Sequence, residues 1–425
     1  MSESRVVKSL IAPFDSVVRP PGSKSQTIRA LVIAALAVGE SRLEGALESD
    51  DTRFAREALS ALGAEVDAEA DPWTVRGVEG RFHLPQGDLD AGASGLTARA
   101  LIAVAPLVTG STTIVGRDRL PDRPMSGLVD ALADLGVEAS ATSGHLPVTV
   151  DGTGALPGGR VGVESGETTQ FATALLLAAP AASGPLTIIP TGLQGSQGYL
   201  DITLQAMRGF GAQVELDDGE YRIAPTGYTG SAVVIEPDAS AAVYPMVAAA
   251  ITGSRVRIQG LGTRSLQPDL CIARVLQSMG CEVEQTADAT TVDARARALT
   301  PIDIDLSGSP DGALGVAVAT LFADGPSRLR GMGSLRFKES DRLVALANEI
   351  TRVGAGAEIE GSDLVITPAT LRPARVETYG DHRVAMSFAL IGLRVPGIEI
   401  ADHEVVAKTW PGYWDMLESL SRPGA

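Results

Sequence analysis

Eight cationic residues fall where the chain turns into helices. They are Lys24 and Arg29 in "PGSKSQTIRALVIAALAVGE", Arg99 in "ASGLTAR", Arg123 in "LPDRPM", Lys338 and Arg342 in "FKESDR", Arg383 in "GDHR" and Lys408 in "AKTW". A helix N-terminus presents N–H groups without intrahelical partners and the positive end of the dipole, so it favours anions. Arginine adds bidentate contacts and lysine a point charge, a combination suited to a substrate with two phosphates or carboxylates. Two carboxylates stand among the cations: Asp311 in "SPDG", and Glu339 between Lys338 and Arg342. Tuned by such neighbours they can act as general acid and base; read structurally, Asp311 is a helix N-cap and Glu339 an ion-pair partner. His382 reads as a structural hydrogen-bonding group. The sequence carries no Ser-His-Asp arrangement, metal-ligand cluster or dinucleotide fingerprint, and the residues before Lys24 lack the P-loop glycines. These features point to metal-free chemistry on a polyanion.

The totals set the context. At 425 residues the chain can hold two or three domains with proper cores. Apolar residues make up 44% and aromatics 4%, as in a tightly packed α/β protein. With 35 Lys and Arg against 52 Asp and Glu, the net charge is −17, which argues against nucleic acid or an anionic membrane as partner. Positive charge must therefore be concentrated locally. "MSESRVVKSL" has no apolar signal core, so a cytoplasmic protein is expected. Cys271 and Cys281 read as reduced thiols.

Positioning the cations falls to a repeat. "SRLEGALESDDTRFAREALSALGAEV" and "STTIVGRDRLPDRPMSGLVDALADLGVEA" share a plan with later segments: strand, polar loop, helix ending in a Gly-containing stop, strand. The starts at Ser41, Ser111, Gly184, Ser254, Pro326 and Pro396 recur about every 70 residues, the mark of a repeat architecture. Ahead of each copy lies a helix apolar nearly all round, which belongs in an interior. Each unit reads as helix, strand, loop, helix, strand, strand. The sixth copy stops short, and the extended residues 5–19 are expected to complete it. Three units make a first lobe, 22–237; three more with the N-terminus make a second, 1–21 plus 238–425. Two proline-containing crossovers, "RPPG" and "EPDAS", suit hinge closure with the apolar helices aimed into a shared cleft.

Read together, "PGSKSQTIRALVIAALAVGE", "DRPMSGLVDAL", "GYLDITL", "RFKESDRL", "GDHRVAMSF" and "KTWPGYWDML" resemble the EPSP synthase family of enolpyruvyl transferases along the whole chain. The resemblance implies an α/β fold of two similar lobes, each of three repeated units around buried helices. It also implies transfer of the enolpyruvyl group of phosphoenolpyruvate to the 5-hydroxyl of shikimate 3-phosphate, with release of phosphate, in aromatic amino acid biosynthesis. No cofactor and no metal are implied, and a monomer is expected. The related UDP-N-acetylglucosamine enolpyruvyl transferases typically carry a reactive cysteine in the first lobe, whereas both cysteines here fall in the second.

By this resemblance, shikimate 3-phosphate is held by Lys24, Ser25, Arg29, Thr168, Thr169, Gln170, Ser196, Tyr199, Asp311 and Lys338. Phosphoenolpyruvate meets Lys24, Gly95, Arg123, Gln170, Arg342, Arg383 and Lys408. Asp311 is the favoured base and Glu339 the favoured proton donor, with Lys24 assisting. The chain departs from the family pattern at Ala93, Leu96, Thr168, Thr169 and Ser334. Two other readings stay open: an enolpyruvyl transferase for another phosphorylated cyclic alcohol, and a non-catalytic anion binder on the same scaffold.

Overall fold

The computed structural model describes residues 3–192 and 197–420. It divides into two compact units, Gly22–Ile235 (the first lobe) and Met1–Pro21 with Glu236–Ala425 (the second). Each has its own hydrophobic core. In the first lobe that core is built around the helices Lys24–Leu36, Gly95–Val104 and Gln170–Ala178. In the second it is built around Ala239–Thr252, Ala313–Thr320 and His382–Gly392. These six are buried on nearly every side, as their unbroken apolar sequences require. A second helix in each unit, such as Asp50–Ala61 or Arg342–Arg352, buries one face only.

The sheets show a strand that the repeat pattern left out. Before the inner helix of most units lies a short strand that pairs in parallel with the strand after it. Leu89–Asp90 pairs so with Thr109–Val115, Gly159–Glu164 with Leu186–Thr191, and Asp303–Asp305 with Ser327–Arg330. Parallel neighbours need such a helical crossover. A two-residue strand carries no readable alternation, so the sequence pattern misses it. The full unit is strand, helix, strand, helix, hairpin.

Closing the repeats borrows strands from distant chain. The first unit has no strand of its own ahead of Lys24, and Ala232–Val234 pairs in parallel with Glu40–Glu44 instead. The N-terminal segment is divided, which corrects the expectation that all of it serves the sixth unit. Ser4–Val6 pairs antiparallel with Ile398–Ala401 and completes the sixth sheet, which has three strands. Asp15–Val18 pairs in parallel with Arg255–Gln259 and completes the fourth.

Close packing of strand on helix rests on glycine. A Cβ on Gly77 would stand 2.2 Å from the Ala37 carbonyl oxygen and 2.4 Å from that of Ala34. At the matching place in the next unit, a Cβ on Gly152 would stand 2.2 Å from Val108 O. Backbone oxygens cannot swing aside. Gly152→Ala is therefore expected to cost about 1–3 kcal/mol by overpacking, read as a lower midpoint in urea unfolding. An unchanged midpoint would show that the helix end yields.

Candidate active site

The functional candidates fall into two groups, one within each lobe. In the first lobe, Lys24 is the first residue of its helix, and Ser23 is the N-cap without a side-chain capping bond. Lys24 Nζ donates to Asp51 Oδ2 at 2.9 Å, and Asp51 is almost fully buried. Ser25 gives its carbonyl to Arg29 Nη1 at 3.0 Å. Arg29 itself is buried and donates from Nε to Thr203 Oγ1 at 2.8 Å and from Nη2 to the Tyr199 carbonyl at 3.2 Å. These acceptors are all neutral. Burial accordingly pulls the Arg29 guanidinium down to about 10. An anion brought beside it would be strongly attracted.

Gly95 opens the second inner helix, where Ser94 accepts from Thr97 N. A Cβ there would meet Arg99 Nη1 at 2.6 Å and Arg123 Nη1 at 2.7 Å, so two guanidinium groups crowd onto the glycine. Arg99 also donates to Gln170 Oε1 at 2.6 Å and to the Pro124 carbonyl at 2.9 Å. The fold thus gathers Gly95, Arg99, Arg123 and Gln170 at adjoining helix starts. Gln170 N donates to Thr168 Oγ1 at 3.2 Å, and Thr169 is the buried N-cap of its helix. Ser196 lies outside the described residues. Leu96 packs into the first-lobe core.

The second lobe holds the densest charge cluster. Arg342 is fully buried and donates from Nε to Asp381 Oδ2 at 2.7 Å, from Nη1 to Asp311 Oδ1 at 2.8 Å and from Nη2 to Glu339 Oε2 at 2.8 Å. Arg383 Nη2 donates to Asp311 Oδ2 at 2.8 Å, and its Nη1 donates to Tyr244 OH at 3.3 Å. Asp381, wholly buried, caps His382–Gly392 by accepting from Arg383 N, and also accepts from Ser340 Oγ at 3.0 Å. Asp311 is therefore no N-cap: Gly312 takes that position for Ala313–Thr320, and the Asp311 side chain faces the arginines. Lys338 is half-buried beside the cluster's Glu339, and Lys408 is buried at the end of the turn His403–Lys408.

The charges set one another's protonation. Burial alone would raise Asp311, but Arg383, Arg342 and Lys338 reverse that and hold it well below the usual carboxylate range. Burial would lower Arg342, yet Asp381, Glu339 and Asp311 raise it. Tyr244 is pushed up to about 12 by burial, despite Arg383.

Asp269 goes the opposite way. It is buried and accepts from the hydroxyls of Ser240 and Ser309. Burial, then the charge of Asp311, raise its pKa. A carboxyl raised on folding contributes stability that is present below its unfolded value and is lost as pH rises through the folded one. Asp269→Asn keeps an acceptor for one serine, offers its amide N–H to the other hydroxyl, and removes that loss. Its stability relative to the parent chain should therefore rise between about pH 4 and neutrality, read from urea midpoints. An identical difference at both pH values would sink this account.

Sequence reasoning missed Asp51, Thr203, Tyr244, Asp269 and Asp381. Asp381 had a signal, standing directly before the helix that carries Arg383. The others sit in helices or turns whose approach to the cations depends on packing.

Comparison with known proteins adds the family. The model for EPSP synthase (3-phosphoshikimate 1-carboxyvinyltransferase) matches residues 9–417. A 3-phosphoshikimate 1-carboxyvinyltransferase of Pseudomonas syringae pv. syringae is 40% identical over 416 residues, covering 96% of this chain and 95% of the relative. One from Sulfurovum sp. is 40% identical over 418 residues, covering 96% and 97%. Among solved structures, an EPSP synthase from Acinetobacter baumannii superposes with a TM-score of 0.81 at 23% identity, covering 99% of this chain and 98% of that one. The enolpyruvyl transferase NikO from Streptomyces tendae gives 0.79 at 19% identity, covering 99% and 98%. These two likenesses bear on the fold: an α/β chain of two lobes. With the family model spanning nearly its full length and relatives sharing two residues in five, this chain belongs to the EPSP synthase family.

Proposed function

We propose that the chain transfers the enolpyruvyl group of phosphoenolpyruvate to the 5-hydroxyl of shikimate 3-phosphate, releasing phosphate. The observation that carries this reading is the identity of about two residues in five with enzymes so named, sustained over 96% of the chain. The site chemistry agrees with it. As the acceptor oxygen bonds to C2 of phosphoenolpyruvate, its proton leaves and another adds at C3. The C2–O bond to phosphate then breaks as one C3 proton departs and the double bond re-forms. This sequence needs a base, an acid and cations for a carboxylate and two phosphates.

Asp311 is the base at the acceptor hydroxyl and Glu339 the proton donor at C3, with Lys24 assisting. Arg29 suits a phosphate because its protein partners are neutral oxygens. It serves shikimate 3-phosphate with Lys24, Ser25, Thr168, Thr169, Gln170, Ser196, Tyr199, Asp311 and Lys338. Arg123 crowding onto Gly95 suits the phosphate of phosphoenolpyruvate; Lys24, Gln170 and Lys408 also serve phosphoenolpyruvate, and Arg342 and Arg383, which already share one carboxylate between them, suit its carboxylate. The chain works as a cytoplasmic monomer, and among the described residues no helix is long and apolar enough to cross a membrane.

Phosphate release from phosphoenolpyruvate tests the reading, with shikimate 3-phosphate, unphosphorylated shikimate or no acceptor. Release that requires the 3-phosphate is expected. Equal release with an unphosphorylated or different cyclic alcohol would move the chain to another acceptor.

A further inference from the structure

Asp311 occupies the arginine pair as a ligand would. Its two oxygens are divided between Arg342 Nη1 and Arg383 Nη2, each at 2.8 Å, and both arginines are nearly inaccessible. The other bonds of these guanidinium groups go from Arg342 to wholly buried Asp381 and to Glu339, and from Arg383 to buried Tyr244. Asp311 itself stays 27% exposed, against 16% for Glu339 and none for Asp381, so it is the most exposed carboxylate of the cluster. A carboxylate spanning two arginines through both oxygens is the geometry by which such a pair binds a small carboxylate ligand.

We propose that Asp311 is an internal stand-in for the substrate carboxylate: an arriving carboxylate takes over Arg342 and Arg383, and Asp311 is released from both. This rests on the assignment of those arginines to phosphoenolpyruvate. The exchange links binding to chemistry. While two arginines hold it, Asp311 is a poor proton acceptor. Released, it loses two counter-ions and gains an anionic neighbour, and both changes raise its affinity for a proton. The base for the acceptor hydroxyl is made by arrival of the co-substrate, so Asp311 is poised only when there is something to react with.

A resident competitor has a measurable signature, because removing it tightens binding while harming catalysis. Phosphoenolpyruvate, and separately pyruvate as a bare carboxylate probe, are titrated calorimetrically into the full chain and into Asp311→Asn. The variant is expected to bind both at least about tenfold more tightly, since two buried guanidinium groups lose their shared counter-ion. Equal or weaker binding overturns the proposal. Glu360→Gln removes an exposed second-lobe carboxylate that is bonded to Arg328 and to neither arginine of the pair, and should change pyruvate binding by no more than about twofold. Tenfold tightening there as well would show a general charge effect and also overturn it. Asp311→Ala repeats the titration if the Asn variant melts early. Turnover of the parent chain is followed separately. Turnover without tightening in the variant removes the exchange and keeps the reaction; tightening toward pyruvate without turnover keeps the exchange and removes the reaction.

Discussion

Arg342→Ala is expected to destabilise the second lobe by about 3–5 kcal/mol, the cost of stripping the partner from buried charges. Arg342 is bonded to three carboxylates, and Asp381 among them is wholly buried. Without the guanidinium, Asp381 retains Ser340 Oγ and Arg383 N, which are hydrogen-bond donors but no substitute for its charge partner. Asp311 retains Arg383, and Glu339 loses its bond to Arg342. Against a domain stability of about 5–15 kcal/mol, the loss takes roughly a fifth or more of the reserve. Trp410 and Trp414 lie in the second lobe, so urea unfolding followed by tryptophan fluorescence reads it. Arg342→Lys keeps a charge but not the planar fork that reaches several carboxylates at once, and should recover only part of the loss. An alanine variant within about 1 kcal/mol of the parent would mean that the cluster is not held by this arginine.

Asp311→Ala should lower kcat by about 10²–10⁴-fold, the usual worth of a positioned acid or base. Glu339→Gln should fall in the same range, since an amide cannot deliver a proton to C3. The two variants differ in binding. Asp311→Ala should lower KM for phosphoenolpyruvate, because the arginine pair is no longer shared. A variant that raised KM tenfold while keeping kcat would assign Asp311 to binding rather than proton transfer. The pH dependence of stability also has a defined sign at this residue. Its folded pKa lies below the unfolded one, so its stabilising contribution is complete above the unfolded value and is lost as pH falls through the folded one. Acid down to about pH 4 should therefore leave the Asp311 bridges intact.

Much of the architecture is legible in the chain itself. The apolar helices are so uniformly hydrophobic that no surface position is open to them, and each is buried. The partner helices carry a polar face, and the structure places that face outward. Leu89–Asp90 was not legible, because two residues cannot display a period. Neither was the divided use of the N-terminus. Ser4–Val6 and Asp15–Val18 are similar extended segments, yet they join the sixth and fourth sheets, and only the unpaired edge each one meets decides which.

The candidate site divides the same way. Helix starts can be located from capping residues and apolar runs, so the positions of Lys24, Arg342 and Arg383 at or next to helix N-termini follow from local sequence. Local sequence cannot say which carboxylate faces which cation. Asp311 and Arg383 are 72 residues apart, and Arg29 and Thr203 are 174 apart. Such pairs are chosen by how the buried helices pack. The sequence by itself determined the repeats, the buried helices and the placing of charge at their ends, because periodicity and capping act over a few residues. Only the tertiary structure decided that one carboxylate bridges two arginines while another is buried among serines with its pKa raised, because protonation is set by burial and by neighbours brought from far along the chain.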